Sequence, residues 1–145
     1  MSSEIKFRGW LKGTDKPFPK INAEDYTYVF NVSPNGQVNA GSWDEDGFWR
    51  VKQVEVDQFI GLQDKKGKDI YEGDIVKFTE EDTASFVGPV DYMADDDYPA
   101  FDIPDKYIPT GWGFETNVIS DGVARGIIEV IGNVRENPDL LEVKK

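Results

Sequence analysis

Period-two alternation, broken at short intervals by turn chemistry, runs through most of this chain and points to antiparallel β-structure. Ile5-Lys6-Phe7-Arg8-Gly9-Trp10 alternates apolar with basic side chains, as a half-buried strand does. Lys12 to Lys20 holds Gly13, Pro17 and Pro19 and reads as a loop. Tyr26 to Val32 is dense in aromatic and β-branched residues, which suit a pleated surface. Ser33-Pro34-Asn35-Gly36 then predicts a tight turn, with Gln37 to Ala40 starting the return strand. Asp44-Glu45-Asp46-Gly47 is a second turn, between Trp43 and Phe48-Trp49, and residues 48–60 read as a strand with a bend or change of face. A calcium loop would need further oxygen ligands and a closing glutamate that this segment lacks. Asp64-Lys65-Lys66-Gly67-Lys68 is a third turn, and Glu72-Gly73-Asp74 leads into the strand Ile75 to Phe78.

Residues 79–122 break the pattern. Glu80-Glu81-Asp82 and Asp95-Asp96-Asp97 are acidic clusters, and Pro89, Pro99, Pro104 and Pro109 interrupt regular structure. Phe86, Tyr92, Tyr98, Phe101, Tyr107, Trp112 and Phe114 are interspersed, whereas disordered segments are poor in aromatics. The stretch is expected to be a long, partly ordered acidic insertion that packs its aromatics on the body or on a partner chain. Residues 123–134 return to strand composition, with Gly126 and Gly132 expected at bulges or close backbone approaches. Asn137-Pro138 is expected to cap a helix of one or two turns that docks Leu140 and Leu141 on the body. The expected fold is therefore mainly β: a hairpin-rich part over 1–62, and a small SH3-like barrel over 63–145 carrying the insertion and the short C-terminal helix. The two form separate parts or one continuous domain.

The 145 residues include no cysteine and no histidine. That excludes disulfide frameworks, zinc ribbons, thiol nucleophiles and the Ser-His-Asp mechanism, and it removes the commonest general base. No enzymatic activity, cofactor or metal site is expected, since carboxylate pairs are inevitable by chance among 28 acids. Without an apolar leader or long hydrophobic span, the chain is expected in the cytoplasm, that of the host if phage-encoded, and off the membrane. The net charge is −12. Residues 79–122 alone hold eleven acids against Lys106 and account for −10 of it. Such a field repels phosphates and argues against direct nucleic-acid binding.

Three segments resemble the YopX family of phage and prophage proteins. They are Ile5-Lys6-Phe7-Arg8-Gly9-Trp10, the stretch from Gln58 to Val76 (QFIGLQDKKGKDIYEGDIV), and Ile128 to Glu142 (IEVIGNVRENPDLLE). The resemblance implies a mainly β protein with a small barrel-like C-terminal part, a phage or prophage origin and a homo-oligomer. It implies no activity and no site residues.

The first functional expectation is a non-enzymatic protein that binds or inhibits a host component. Asp91, Asp95, Asp96, Asp97, Asp102 and Asp105, with Trp112 and Phe114, would present an acidic, nucleic-acid-like surface to a host protein with a basic one. A merely solvated loop explains the same acids. The second is an oligomeric nucleotide binder, in which Trp43, Trp49, Tyr98, Trp112 and Phe114 stack on a base and Arg8, Arg50 or Arg125 holds a phosphate. Core packing explains the same aromatics. A third is a structural or assembly protein. A homo-oligomer is expected from Phe48, Trp49, Trp112 and Phe114, which would need covering if residues 43–60 form a sheet edge.

Overall fold

A computed structural model describes residues 7–11, 29–81, 84–114 and 117–141. Ile5 and Lys6, the expected loop 12–20, Tyr26 to Tyr28, Asp82, Glu115 and Glu142 lie outside these residues. The chain divides into two compact units, Lys6–Asp57 and one that includes Gln58–Lys145.

The first unit contains β1 (Phe7–Leu11), β2 (Val29–Val32), β3 (Val38–Trp43) and the start of β4 (Trp49–Gln63), in the sheet order β1-β4-β3-β2. Its turns follow the chemistry read above. At Asp44 the carboxylate accepts the N–H groups of Asp46 at 3.0 Å and Phe48 at 2.8 Å, and Gly47 takes φ 83°, which a side chain would resist. Arg50 donates to the same carboxylate at 2.8 Å, and with the backbone donors it holds Asp44 below the ordinary carboxylate pKa. Opposite partners Trp43 and Trp49 pack edge to face with centroids 5.1 Å apart. Among the described residues the core is small: Ala40 and Val54 are buried, with Val38 and Val56 against them, and Trp10 is buried as well.

In the second unit, the end of β4 pairs with β5 (Asp69–Tyr71) around the third turn. Antiparallel β6 (Asp74–Glu80), β7 (Ala84–Pro89) and β10 (Ile128–Asn133) form a sheet in the order β10-β6-β7. A two-stranded ribbon, β8 (Asp91–Tyr92) with β9 (Phe101–Asp102), and one helix, α1 (Val118–Arg125), complete the strands and α-helices among the described residues. Ile70, Val76, Phe78, Phe86, Val90, Ile103, Val118, Ile119 and Ile128 make the core. Phe78 and Phe86 face each other across β6 and β7, stacked at 4.6 Å.

The sheet does not close into the expected barrel. After Pro89 the chain leaves the sheet and returns to it only as β10, and α1 packs over Phe78 of β6 where a barrel would need further strands. The contact is close because Gly122 sits over Phe78; an added Cβ would lie 2.5 Å from the Phe78 ring. The stretch 79–122 supplies β7 and five of the nine core residues, so its aromatics pack on the body, as expected, and its first strand belongs to the sheet.

Residues 118–125 were expected partly in strand and are helical instead. Asn117 caps the start through Ser120 N–H at 2.9 Å. Gly126, expected at a bulge, ends the helix in the left-handed conformation, with Ile127 N–H returning to the Gly122 carbonyl at 3.1 Å. Gly132 does lie at a register shift, with Asn137 packed against it. The C-terminal helix is a single 3-10 turn, Pro138–Leu141, and Leu140 is exposed where docking was expected. Asn137 turns its side-chain oxygen to Asn133 N–H at 3.2 Å rather than capping that turn.

Asp64 joins the third turn to β10. Oδ1 accepts Lys66 and Lys68 N–H, both at 2.9 Å, and Oδ2 accepts Val130 N–H at 3.0 Å. Burial raises the pKa of this carboxyl, but the three donors outweigh it and leave the group below its ordinary value. A depressed folded pKa means the stabilisation is complete above the unfolded value, ~3.9, and is lost as pH falls through the folded one. Asp64→Asn is therefore expected to destabilise at neutral pH by about 1–3 kcal/mol and to flatten the acid limb below about pH 4. Urea midpoints across that range check this, and parallel acid limbs in the two proteins would exclude Asp64 as their source.

Candidate functional site

The expected partner residues lie on the segment between β7 and α1. Pro89 ends β7, and Val90 is stitched to the β5–β6 turn by Val90 N–H to the Asp74 carbonyl and Gly73 N–H to the Val90 carbonyl, both 2.8 Å. The ribbon then begins, with Asp91 opposite Asp102 and Tyr92 opposite Phe101. Its tip is a 3-10 turn, Ala94–Asp96, closed by Asp97 at φ 59°. Asp tolerates that left-handed conformation better than most residues. The tip holds Asp95, Asp96 and Asp97, all exposed, and Asp91 is exposed on the strand below.

Asp102 has a different place. It is buried, and its carboxylate accepts four hydrogen bonds. Oδ1 takes Ile103 N–H at 2.9 Å and Ile119 N–H at 3.2 Å; Oδ2 takes Val118 N–H and the Tyr98 hydroxyl, each at 3.2 Å. With Asn117 on Ser120, this satisfies the first three donors of α1. Asp102 therefore builds the site instead of facing a partner, which corrects the sequence reading for this residue.

Beyond Ile103, the 3-10 turn Asp105–Tyr107 leaves Asp105 exposed and lays Lys106 Nζ over the Tyr107 ring at 5.2 Å. Trp112 and Phe114 are half-buried and nearly parallel, at 10° and 6.1 Å, and Trp112 packs edge-on against Phe86 at 4.9 Å. They were expected to need a partner's cover; the chain's own core supplies much of it. Phe48 and Trp49, in the other unit, are 62% and 43% exposed and do lack such cover.

Two concavities result. One, about 510 Å³, is lined by Tyr98, Asp102, Asp105, Ile108, Trp112, Phe114 and Val118. The other, about 600 Å³, is lined by residues that include Asp91, Met93, Asp96, Asp105, Lys106 and Tyr107. Asp105 borders both. Sequence reasoning named the acids and aromatics but missed Asn117, whose side chain donates to the Tyr98 hydroxyl and to the Phe101 carbonyl, both at 2.8 Å. Its signal was a helix cap, Asn followed by an apolar pair, a serine and an acid.

The arginines of the nucleotide reading are not gathered here. Arg8 pairs with Asp57, Arg50 with Asp44, and Arg125 with Glu80 and Asp121. Among the described residues no group of three or more acidic side chains is placed to hold a metal ion, and no helix is long and apolar enough to cross a membrane.

The family model described as YopX protein matches residues 6–142. Protein yopX from Bacillus subtilis has a similar structure, with a TM-score of 0.52 and 23% identity over 94% of this chain and 97% of that one. Protein EF1440 from Enterococcus faecalis is similar at a TM-score of 0.51 and 21% identity, over 97% of this chain and 100% of that one. Identity this low carries the fold alone. No curated protein matches the chain.

Proposed function

The chain belongs to the YopX family, and from that premise we propose that it is a non-enzymatic phage or prophage accessory protein that binds or inhibits a host component through the acidic face of residues 91–105. One observation carries the reading. Asp91, Asp95, Asp96, Asp97 and Asp105 are exposed, and among the described residues no basic side chain pairs with them. Elsewhere in the chain several acids do have a basic partner, as Asp44 has Arg50 and Glu129 has Lys66. Five unpaired carboxylates on one ribbon and the turn after it repel one another, and a basic surface relieves that repulsion. A host groove that ordinarily holds phosphates offers such a surface, and attraction at a distance raises the rate of encounter.

The test is capture of host proteins by the tagged chain and by an Asp95→Asn, Asp96→Asn, Asp97→Asn variant. The ribbon tip is exposed, so the variant keeps its fold, checked by circular dichroism. A specific partner is expected to be held by the parent, to weaken about tenfold or more in the triple variant, and to weaken with added salt. A partner held equally by both proteins removes the acidic face from the account.

A further inference from the structure

We propose that the concavity walled by Tyr98, Trp112 and Phe114 and bordered by Asp105 receives an arginine side chain of a basic partner protein. This rests on the proposed acidic-face function and gives it a point of contact. The walls are chemically matched to a guanidinium group. Three aromatic rings line the space, and aromatic faces attract cations placed within about 6 Å of the ring centre. Among the described residues no basic side chain lines it, and two carboxylates do. Asp102 spends its oxygens on three backbone donors and on Tyr98, which leaves Asp105 to take the fork of an incoming guanidinium. Arginine is preferred to lysine because its planar head stacks on a ring and pairs with a carboxylate at once.

The walls are already fixed. The Tyr98 hydroxyl accepts from Asn117 and donates to Asp102, and Trp112 is braced on Phe86 and Phe114. Little order remains to be imposed on binding. A protein is favoured over a free small cation because Asp105 continues into the second concavity and toward Asp91 and Asp96, a surface too extended for one small molecule.

The experiment titrates the intact chain with N-acetylarginine amide, reading the Trp112 indole N–H resonance, assigned from Trp112→Phe. The neutral citrulline analogue is the isosteric control. Saturable shifts are expected with the arginine probe, with binding about tenfold weaker or worse for the citrulline probe and for Asp105→Asn. Asp139→Asn, which removes one exposed charge outside the concavity, is expected to bind as the parent does. No shift, equal shifts with both probes, or equal losses in Asp105→Asn and Asp139→Asn overturn the proposal. Host capture that depends on Asp95–Asp97 but not on Asp105, without a probe shift, defeats the arginine site and leaves the acidic face standing. An arginine-dependent shift without host capture does the reverse.

Discussion

Asp102→Ala is expected to lower the stability of the C-terminal unit by about 3–5 kcal/mol, because it strands several buried backbone donors at once. Ile103, Val118 and Ile119 are 1%, 7% and 0% exposed, so water does not replace the carboxylate at their N–H groups. Each unsatisfied donor costs roughly 1–3 kcal/mol, and the first turn of α1 also loses the negative group at its N-terminus. Asp102→Asn keeps one acceptor oxygen and is expected to recover part of the loss. The measurement is urea unfolding combined with amide exchange of α1. The exchange arm discriminates, since residues 118–120 should lose protection before the β6–β7 ladder does. A loss under about 1 kcal/mol, or uniform loss of protection across the unit, would show that the capping is not where the energy lies.

The same residue shows how the site depends on the fold. Through Tyr98 and Asn117, the carboxylate that starts the helix also sets one wall of the aromatic concavity. Asp91 and Asp102 are opposite partners in one ribbon, yet one faces solvent and the other the core. Sequence composition treats them as equals.

That contrast marks what was legible. The three Gly-bearing turns and the strands around them followed from local chemistry, because a turn residue answers to its own φ and its own side-chain acceptor. Helix α1 was obscured by its content: Val118, Ile119 and Val123 favour strands, and Gly122 sits in the interior. Tertiary packing overrides those preferences, since the glycine is what lets the helix lie on Phe78. The unclosed sheet was illegible for a related reason. Whether a strand or a helix covers β6 depends on contacts between distant residues, which alternation does not encode. For the site, the exposed acids and the aromatics were named correctly as a group, but their division between surface and interior depended on the helix that had been missed.

In the N-terminal unit the largest single effect is expected at Asp57, with Asp57→Ala costing about 3–4 kcal/mol. The carboxylate is 6% exposed, and its Oδ2 accepts Arg8 Nε at 2.9 Å and the Trp10 indole N–H at 2.8 Å. Trp10 is itself 3% exposed, so removal of the acceptor takes a hydrogen bond from a donor that water cannot readily reach. Arg8 is partly solvated and loses less, which makes the indole the larger part of the penalty. The unit has little to set against such a loss, because its buried apolar residues among the described ones are Trp10 itself, Ala40 and Val54. Asp57→Asn retains an acceptor for the indole but not the charge for Arg8, and should fall between the parent and Asp57→Ala. A double-mutant cycle with Arg8→Met separates the two contributions: a coupling of about 0.5–3 kcal/mol is expected for groups in direct contact. Additive losses from Arg8→Met and Asp57→Ala would mean that the ion pair contributes nothing to the stability that the carboxylate confers.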